Sequence, residues 1–175
     1  MSSEHLHVSW DTYHGLIERL ALTVHESGWH FDEILCIARG GMRVGDVLSR
    51  IFECPLGVLF TSSYRAQAGT RQGTLVIGDA IASALPMKGP RVLLVDDLVD
   101  SGATYVRLMP ELRSRYPEFA EIRTAVIWVK GSSEFQPDYR VVDLPSSPWI
   151  HQPVEVYDAM RPDQLDARVA EQKQP

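Results

Sequence analysis

Cysteine is nearly absent from this chain: Cys36 and Cys54 are the only two in 175 residues. So few thiols exclude a disulfide framework and fit reduced cysteines in a cytosolic protein. Basic residues are also short, 17 Lys and Arg against 23 Asp and Glu, for a formal charge of −6. A general nucleic-acid binder needs a basic face, so the charge argues against that class. The same charge means that a polyphosphate must be held by local donors and a metal, against the overall field. No apolar run is long enough to span a membrane. The opening MSSEHLHVSW has neither a basic nor an apolar region, so no secretory signal is expected. His5, His7, His14, His25, His30 and His151 never combine with cysteines or acids in a ligand pattern. Neither a serine nucleophile elbow nor an internal repeat is evident.

What is present is an ordinary globular composition, 45% hydrophobic, with length for one domain. Ser9 can cap a helix from Trp10 to about Ser27, with Leu16, Ile17, Leu20 and Val24 on one stripe and Gly28 behind it. A strand follows near Glu33–Ala38, then the Arg39-Gly40-Gly41 loop and a helix near Val44–Phe52. Further strands are expected at Leu56–Thr61, Thr74–Ile77, Ile122–Val129 and Tyr139–Val142. A helix from about Ala103 to Tyr116 contains Pro110, which should kink or divide it. Alternating strands and helices predict an α/β fold with a mostly parallel sheet. Between two of the strands lies Ser62–Gly73, a polar stretch of the kind that forms a functional lid.

The most informative segment is Arg91–Thr104, RVLLVDDLVDSGAT. Val92–Val95 do not alternate, as expected of a strand covered on both faces. Asp96 and Asp97 follow at its carboxyl edge, where such sheets bind ligands. Asp100, Ser101, Gly102, Ala103 and Thr104 then make a polar turn that opens a helix, whose unpaired N–H groups suit a phosphate. Vicinal carboxylates are poor phosphate ligands but good acceptors for a ribose diol. A sugar phosphate satisfies both ends.

Other residues fall at the same kind of edge. Arg39-Gly40-Gly41 leaves a buried strand and enters a helix, as a tight turn or as a backbone cradle with a guanidinium beside it. Asp100 can cap the helix behind it or take a proton from a ligand. Lys130 ends the apolar strand AVIWV, where an ammonium is either solvated or donates to a carbonyl. Trp149 follows a Pro-rich break, in the core or as a plate for a flat ring. Glu155 can accept a hydrogen bond from a ligand or reach a metal.

The stretch VLLVDDLVDSGAT resembles the phosphoribosyl-pyrophosphate signature of the type I phosphoribosyltransferases. With VSWD near the start, ARGG at 38–41, SSY at 62–64, Lys130 and the WI-QP pattern from 149, the chain is most similar to the bacterial xanthine–guanine branch. The resemblance implies the type I fold, a mostly parallel central sheet flanked by helices with a small hood over the active site. It implies a domain over 1–158, the hood drawn from N-terminal residues and about 130–158, and a polar tail over 159–175. The implied reaction transfers 5-phosphoribosyl from phosphoribosyl pyrophosphate to xanthine, guanine or hypoxanthine, with Mg²⁺, in purine salvage.

By resemblance, Asp96 and Asp97 hold the ribose and metal, and Asp100 handles the base's proton. Asp100, Ser101, Gly102, Ala103 and Thr104 bind the 5′-phosphate. Arg39, Gly40, Gly41 and Arg71 hold pyrophosphate, with a non-proline cis peptide at Ala38–Arg39. Ser63 and Tyr64 belong to the mobile loop. Lys130, Trp149, Ile150 and Glu155 contact the purine, and Glu155 is also a metal candidate. A cytoplasmic homodimer or homotetramer is implied, with no nucleic-acid or integral membrane partner. Three positions depart from the pattern: Glu155 stands for Asp, His151 for an acid beside the base, and Arg65 for an acid after the loop tyrosine. A regulator of the same fold that binds nucleotide or RNA without robust transfer is the rival reading. The acid-rich motif of prenyl-chain synthases belongs on a helix, and a phosphoacceptor receiver leaves the SGAT turn, ARGG and Lys130 unexplained.

Overall fold

The computed structural model describes residues 5–63 and 75–165. In chain order the elements are β1 (His5–His7), α1 (Trp10–Glu26), β2 (Glu33–Ala38), α2 (Met42–Ile51), β3 (Leu56–Ser63), β4 (Leu75–Ile77), β5 (Ala82–Ser83), β6 (Arg91–Val99), α3 (Ala103–Arg115), β7 (Glu121–Lys130), β8 (Tyr139–Leu144), β9 (Trp149–His151) and α4 (Val156–Ala159). They fall into two compact units, Leu16–Ser147 and Met1–Gly15 with Pro148–Pro175.

The larger unit is built on a seven-stranded sheet in the order β4-β3-β2-β6-β7-β8, with β5 paired to β3. β2, β3, β6, β7 and β8 run parallel, and β4 and β5 are antiparallel additions to β3. All of Glu33–Ala38 is buried, as the apolar run Ile34–Ala38 requires of a strand covered on both faces, with the Glu33 carboxylate accepting from the Lys88 and Gly89 N–H groups at 2.9 and 3.1 Å. Leu35, Ile37, Leu59, Val92, Leu94 and Val126 on one side of the sheet pack with Tyr105, Leu108, Met109 and Leu112 of α3. Such side chains cost about 2–5 kcal/mol each when cut to alanine.

α1 begins where its cap predicts: Ser9 Oγ accepts from the Thr12 N–H at 3.1 Å. Gly28 beyond it sits at φ +70°, the left-handed stop expected of a helix terminus. Several element ends shift by one or two residues from expectation; β3 runs on to Ser63, so Ser62 and Ser63 of the expected lid pair with β4, and two further differences concern β6 and α3. β6 continues four residues past Val95, because Asp96, Leu98 and Val99 keep pairing with Val126, Trp128 and Val129 of β7. The diacid is therefore inside the strand, and not beyond its end. α3 also runs through Pro110 without division. Val106 and Pro110 are both exposed, so water can satisfy the Val106 carbonyl that proline leaves without a helical partner.

The smaller unit contains a two-stranded parallel sheet of β1 and β9, with His5, Leu6 and His7 opposite Trp149, Ile150 and His151. The Val8 N–H extends this pairing to the His151 carbonyl at 3.0 Å. Neither β1 nor α4 was expected from local pattern.

Candidate functional site

β2 and β6 are neighbours, yet the chain leaves β2 toward β3 on one side and returns to β6 on the other. That reversal is a topological switch point, and the crevice beyond the carboxyl ends of two such strands is where open α/β sheets hold ligands. β2 delivers Arg39–Gly41 to this crevice, and β6 delivers Asp96–Thr104. The two strands are pinned at their opposite end: the Arg91 guanidinium and N–H donate to the Asp32 carboxylate at 3.0–3.3 Å. These contacts hold the Asp32 carboxyl below its ordinary range.

The peptide between Ala38 and Arg39 is cis, as the resemblance implied. Gly41 after it has no room for a side chain, and at Gly40 a side chain would displace the Asp97 carboxylate. A Cβ on Gly40 would lie 2.7 Å from Asp97 Cγ, and one on Gly41 would meet the Val95 and Ile37 carbonyls at 2.5 and 2.8 Å. Backbone is thus brought against the acids, with the Gly41 N–H donating to the Ile37 carbonyl at 2.8 Å. Arg39 stands exposed at the mouth.

Residues 96–105 enclose a cavity of about 170 Å³. The Asp97 N–H donates to Asp96 Oδ1 at 2.9 Å. Burial, and then the Asp97 carboxyl beside it, push the Asp96 carboxyl well above the usual range. The Tyr105 phenol is likewise pushed up by burial and by both carboxylates, so it stays protonated. A diol or a cation would supply the positive partners that this acid-rich pocket needs.

The turn that follows is shaped by its backbone. Gly102 caps α3 at φ +85°, and a Cβ there would strike Phe135 at 2.7 Å. Glycine is required on both counts. The Glu134 N–H donates to the Ser101 carbonyl at 3.0 Å, tying the turn to the loop after β7. Asp100 does not cap the helix. Its carboxylate pairs instead with Lys130 Nζ at 3.2 Å. Only 9% of the Lys130 side chain is exposed, against 64% for Asp100. The lysine is therefore no solvated strand-end residue, and its ammonium is aimed at the same edge as the acid.

In the smaller unit Trp149 is half exposed, so it is not a core residue, while Ile150 beside it is buried. His5, His7 and His151 form a stack: His7 and His151 rings lie 4.3 Å apart and 5° from parallel, and His5 Nδ1 is 2.7 Å from His151 Nε2. Partial burial and the two neighbouring imidazoles hold His151 below its ordinary pKa. Glu155 lines a cavity of about 370 Å³ together with His7, His151 and Gln152.

Local patterning therefore anticipated the two loops at the switch point and missed the imidazole stack and Tyr105. The stack is formed between residues far apart in the chain, and Tyr105 looks like any apolar helix position. Tyr64, Arg65 and Arg71 lie outside the described residues, and for Ser63 only the backbone, in β3, is described. No cluster of three metal-ligating side chains occurs among the described residues. A hard cation here would have to complete its shell with ligand oxygens, as Mg²⁺ commonly does.

Residues 9–159 match the phosphoribosyl transferase domain family. A xanthine-guanine phosphoribosyltransferase of Gluconobacter oxydans is 29% identical over 144 residues, which is 82% of this chain and 80% of that protein. One of Ruegeria is 28% identical over 154 residues, 84% and 83% of the respective chains. Among solved structures, a purine phosphoribosyltransferase from Pyrococcus horikoshii superposes with a TM-score of 0.69 at 28% identity, over 86% of this chain and 93% of its own.

Proposed function

This chain belongs to the phosphoribosyl transferase domain family, and we propose that it transfers 5-phosphoribosyl from phosphoribosyl pyrophosphate to a 6-oxopurine, namely xanthine, guanine or hypoxanthine. The observation that carries the reading is the convergence of Arg39–Gly41 and Asp96–Thr104 at one switch point, with Asp100 paired to a buried Lys130. The names of the relatives from Gluconobacter and Ruegeria give xanthine and guanine, two of these bases.

The roles divide by chemistry. The α3 turn, Asp100–Thr104, takes the 5′-phosphate on backbone N–H groups. Asp96 and Asp97 accept the ribose hydroxyls. Arg39 and the Gly40–Gly41 backbone hold pyrophosphate, joined by Arg71. A ring nitrogen of the purine gives its electron pair to C1′ as the bond from C1′ to the pyrophosphate oxygen breaks. The proton released from the ring passes to Asp100. Lys130 donates to the 6-oxo group and disfavours a 6-amino group. Trp149 stacks on the ring, Ile150 contacts its edge, and Glu155 accepts from the base or reaches the metal. Ser63 and Tyr64 open the loop that excludes water from the reacting centre.

Asp96 and Asp97 offer only hard oxygen donors, and burial disfavours two uncompensated charges there, so Mg²⁺ fits. When bound with the substrate, it would neutralise the charge that develops on the leaving pyrophosphate. The reading includes a catalytic domain over 1–158 with a hood from the N-terminus and about 130–158, a tail over 159–175, a homodimer or homotetramer, and a cytoplasmic location. No helix among the described residues is long and apolar enough to cross a membrane.

The test is a panel of free bases with phosphoribosyl pyrophosphate and Mg²⁺, following pyrophosphate release. Release with at least one 6-oxopurine and little with adenine is expected; release with no 6-oxopurine would overturn the assignment.

A further inference from the structure

Tyr105 is 1% exposed, and its hydroxyl has no hydrogen-bond partner among the described residues. An unpaired buried hydroxyl is costly, and phenylalanine would fill the same space without it. The ring is already accounted for: it stacks on Phe135 with centroids 4.6 Å apart and planes 13° from parallel. Only the oxygen lacks a structural reason.

Its position supplies one. Tyr105 packs in the cluster beneath α3 with Leu94, Leu108 and Leu112. Leu94 and Asp96 are two apart on β6 and so share a face. Tyr105 therefore lies on the Asp96 side of the sheet and lines the same cavity. Asp97 lines this cavity too, but its carboxylate lies against Gly40 and it is the odd residue of the strand, so Asp96 is the acid on the face of Tyr105. A phenol is a donor at neutral pH, and a carboxylate is the acceptor available there.

We propose that Tyr105 is a positioning residue for the sugar-binding acids, donating a hydrogen bond to Asp96 when a sugar phosphate occupies the cavity of residues 96–105. Engagement of Asp96 by the ribose hydroxyls brings its second oxygen to the phenol, so that diol binding and satisfaction of the buried hydroxyl occur together. This rests on the assignment of phosphoribosyl pyrophosphate as substrate.

The test compares the full-length wild type with Tyr105→Phe. In the variant the KM and calorimetric Kd for phosphoribosyl pyrophosphate with Mg²⁺ should rise about tenfold, the scale of a lost hydrogen bond to a charged group. Turnover at saturation should change by less than about threefold, since no reacting atom is touched. The unliganded melting temperature should stay level or rise, while the rise produced by substrate shrinks. Unchanged KM and Kd would overturn the proposal. So would a variant that melts earlier without ligand or fails to fold, because the hydroxyl would then be serving the fold itself. In an Asp96→Ala background, Tyr105→Phe should add nothing; an additive loss would refute the route through Asp96. If the wild type bound no phosphoribosyl pyrophosphate, the functional reading would fall first and this inference with it.

Discussion

The carboxyl edge of β2 and β6 and the β1–β9 pair are built in different ways. The first is made of glycines and acids on strands whose apolar runs are buried, where backbone atoms come within 2.5–2.9 Å of a Cβ added at Gly41. The second is made of three-residue strands carrying half-exposed Trp149 and stacked imidazoles. In the proposed reaction the phosphate and the diol are common to every substrate, so a surface for them can be rigid and sterically closed. The base varies, and side chains on a short ribbon can vary with it. His151 and Glu155, the departures noted in the hood, fall in the smaller unit.

The comparison can be broken by substitutions in each region. The largest effect is expected at the rigid edge. Asp100→Asn should lower kcat by about a hundredfold or more, as loss of a general base does, with phosphoribosyl pyrophosphate affinity held within about threefold. Equal turnover would remove Asp100 from the chemistry. Gly41→Ala drives a methyl against the Val95 and Ile37 carbonyls, and should cost about 1–3 kcal/mol in urea unfolding and weaken sugar-phosphate binding. Lys130→Gln should reduce kcat/KM for guanine or hypoxanthine about tenfold and narrow the gap to adenine, measured by pyrophosphate release.

Smaller effects are expected elsewhere. His151→Glu should shift the guanine-to-xanthine ratio of kcat/KM a few-fold toward guanine, whose amino group a carboxylate accepts, with KM for the sugar phosphate unchanged. A change in that KM would mean that the two regions are not separate in function. Asp32→Asn probes the far end of β2 and β6. The folded-state pKa of Asp32 is depressed, so its stabilisation is present above the ordinary carboxylate pKa and lost as pH falls through the lower folded value. The melting-temperature gap between wild type and variant should therefore close on acidification below about pH 4. Sugar-phosphate binding at neutral pH should not change.

Legibility in the sequence follows the same division. β2 is readable because Ile34–Ala38 is an unbroken apolar run between polar segments. The Asp96–Thr104 segment was readable because acids and glycine after a buried strand have few other uses. The extent of β6 was not, since Leu98 and Val99 between acids look like turn residues until β7 is there to pair with them. β1 was invisible for a related reason: His-Leu-His carries little strand signal, and its partner lies more than a hundred residues away. Pro110 misled because the cost of proline in a helix depends on whether water reaches the orphaned carbonyl, which only the exposed face reveals. Tyr105 differs from a core phenylalanine by one atom, and only burial without a partner distinguishes it.

The most direct measurement is amide hydrogen exchange of the intact chain with and without phosphoribosyl pyrophosphate and Mg²⁺, in the absence of base. Slowed exchange in peptides covering Arg39–Gly41 and Asp96–Thr104, with the Trp149–His151 strand unchanged until a purine is added, is the expected result. Exchange at both switch-point loops unaltered by the sugar phosphate would contradict the account at its centre.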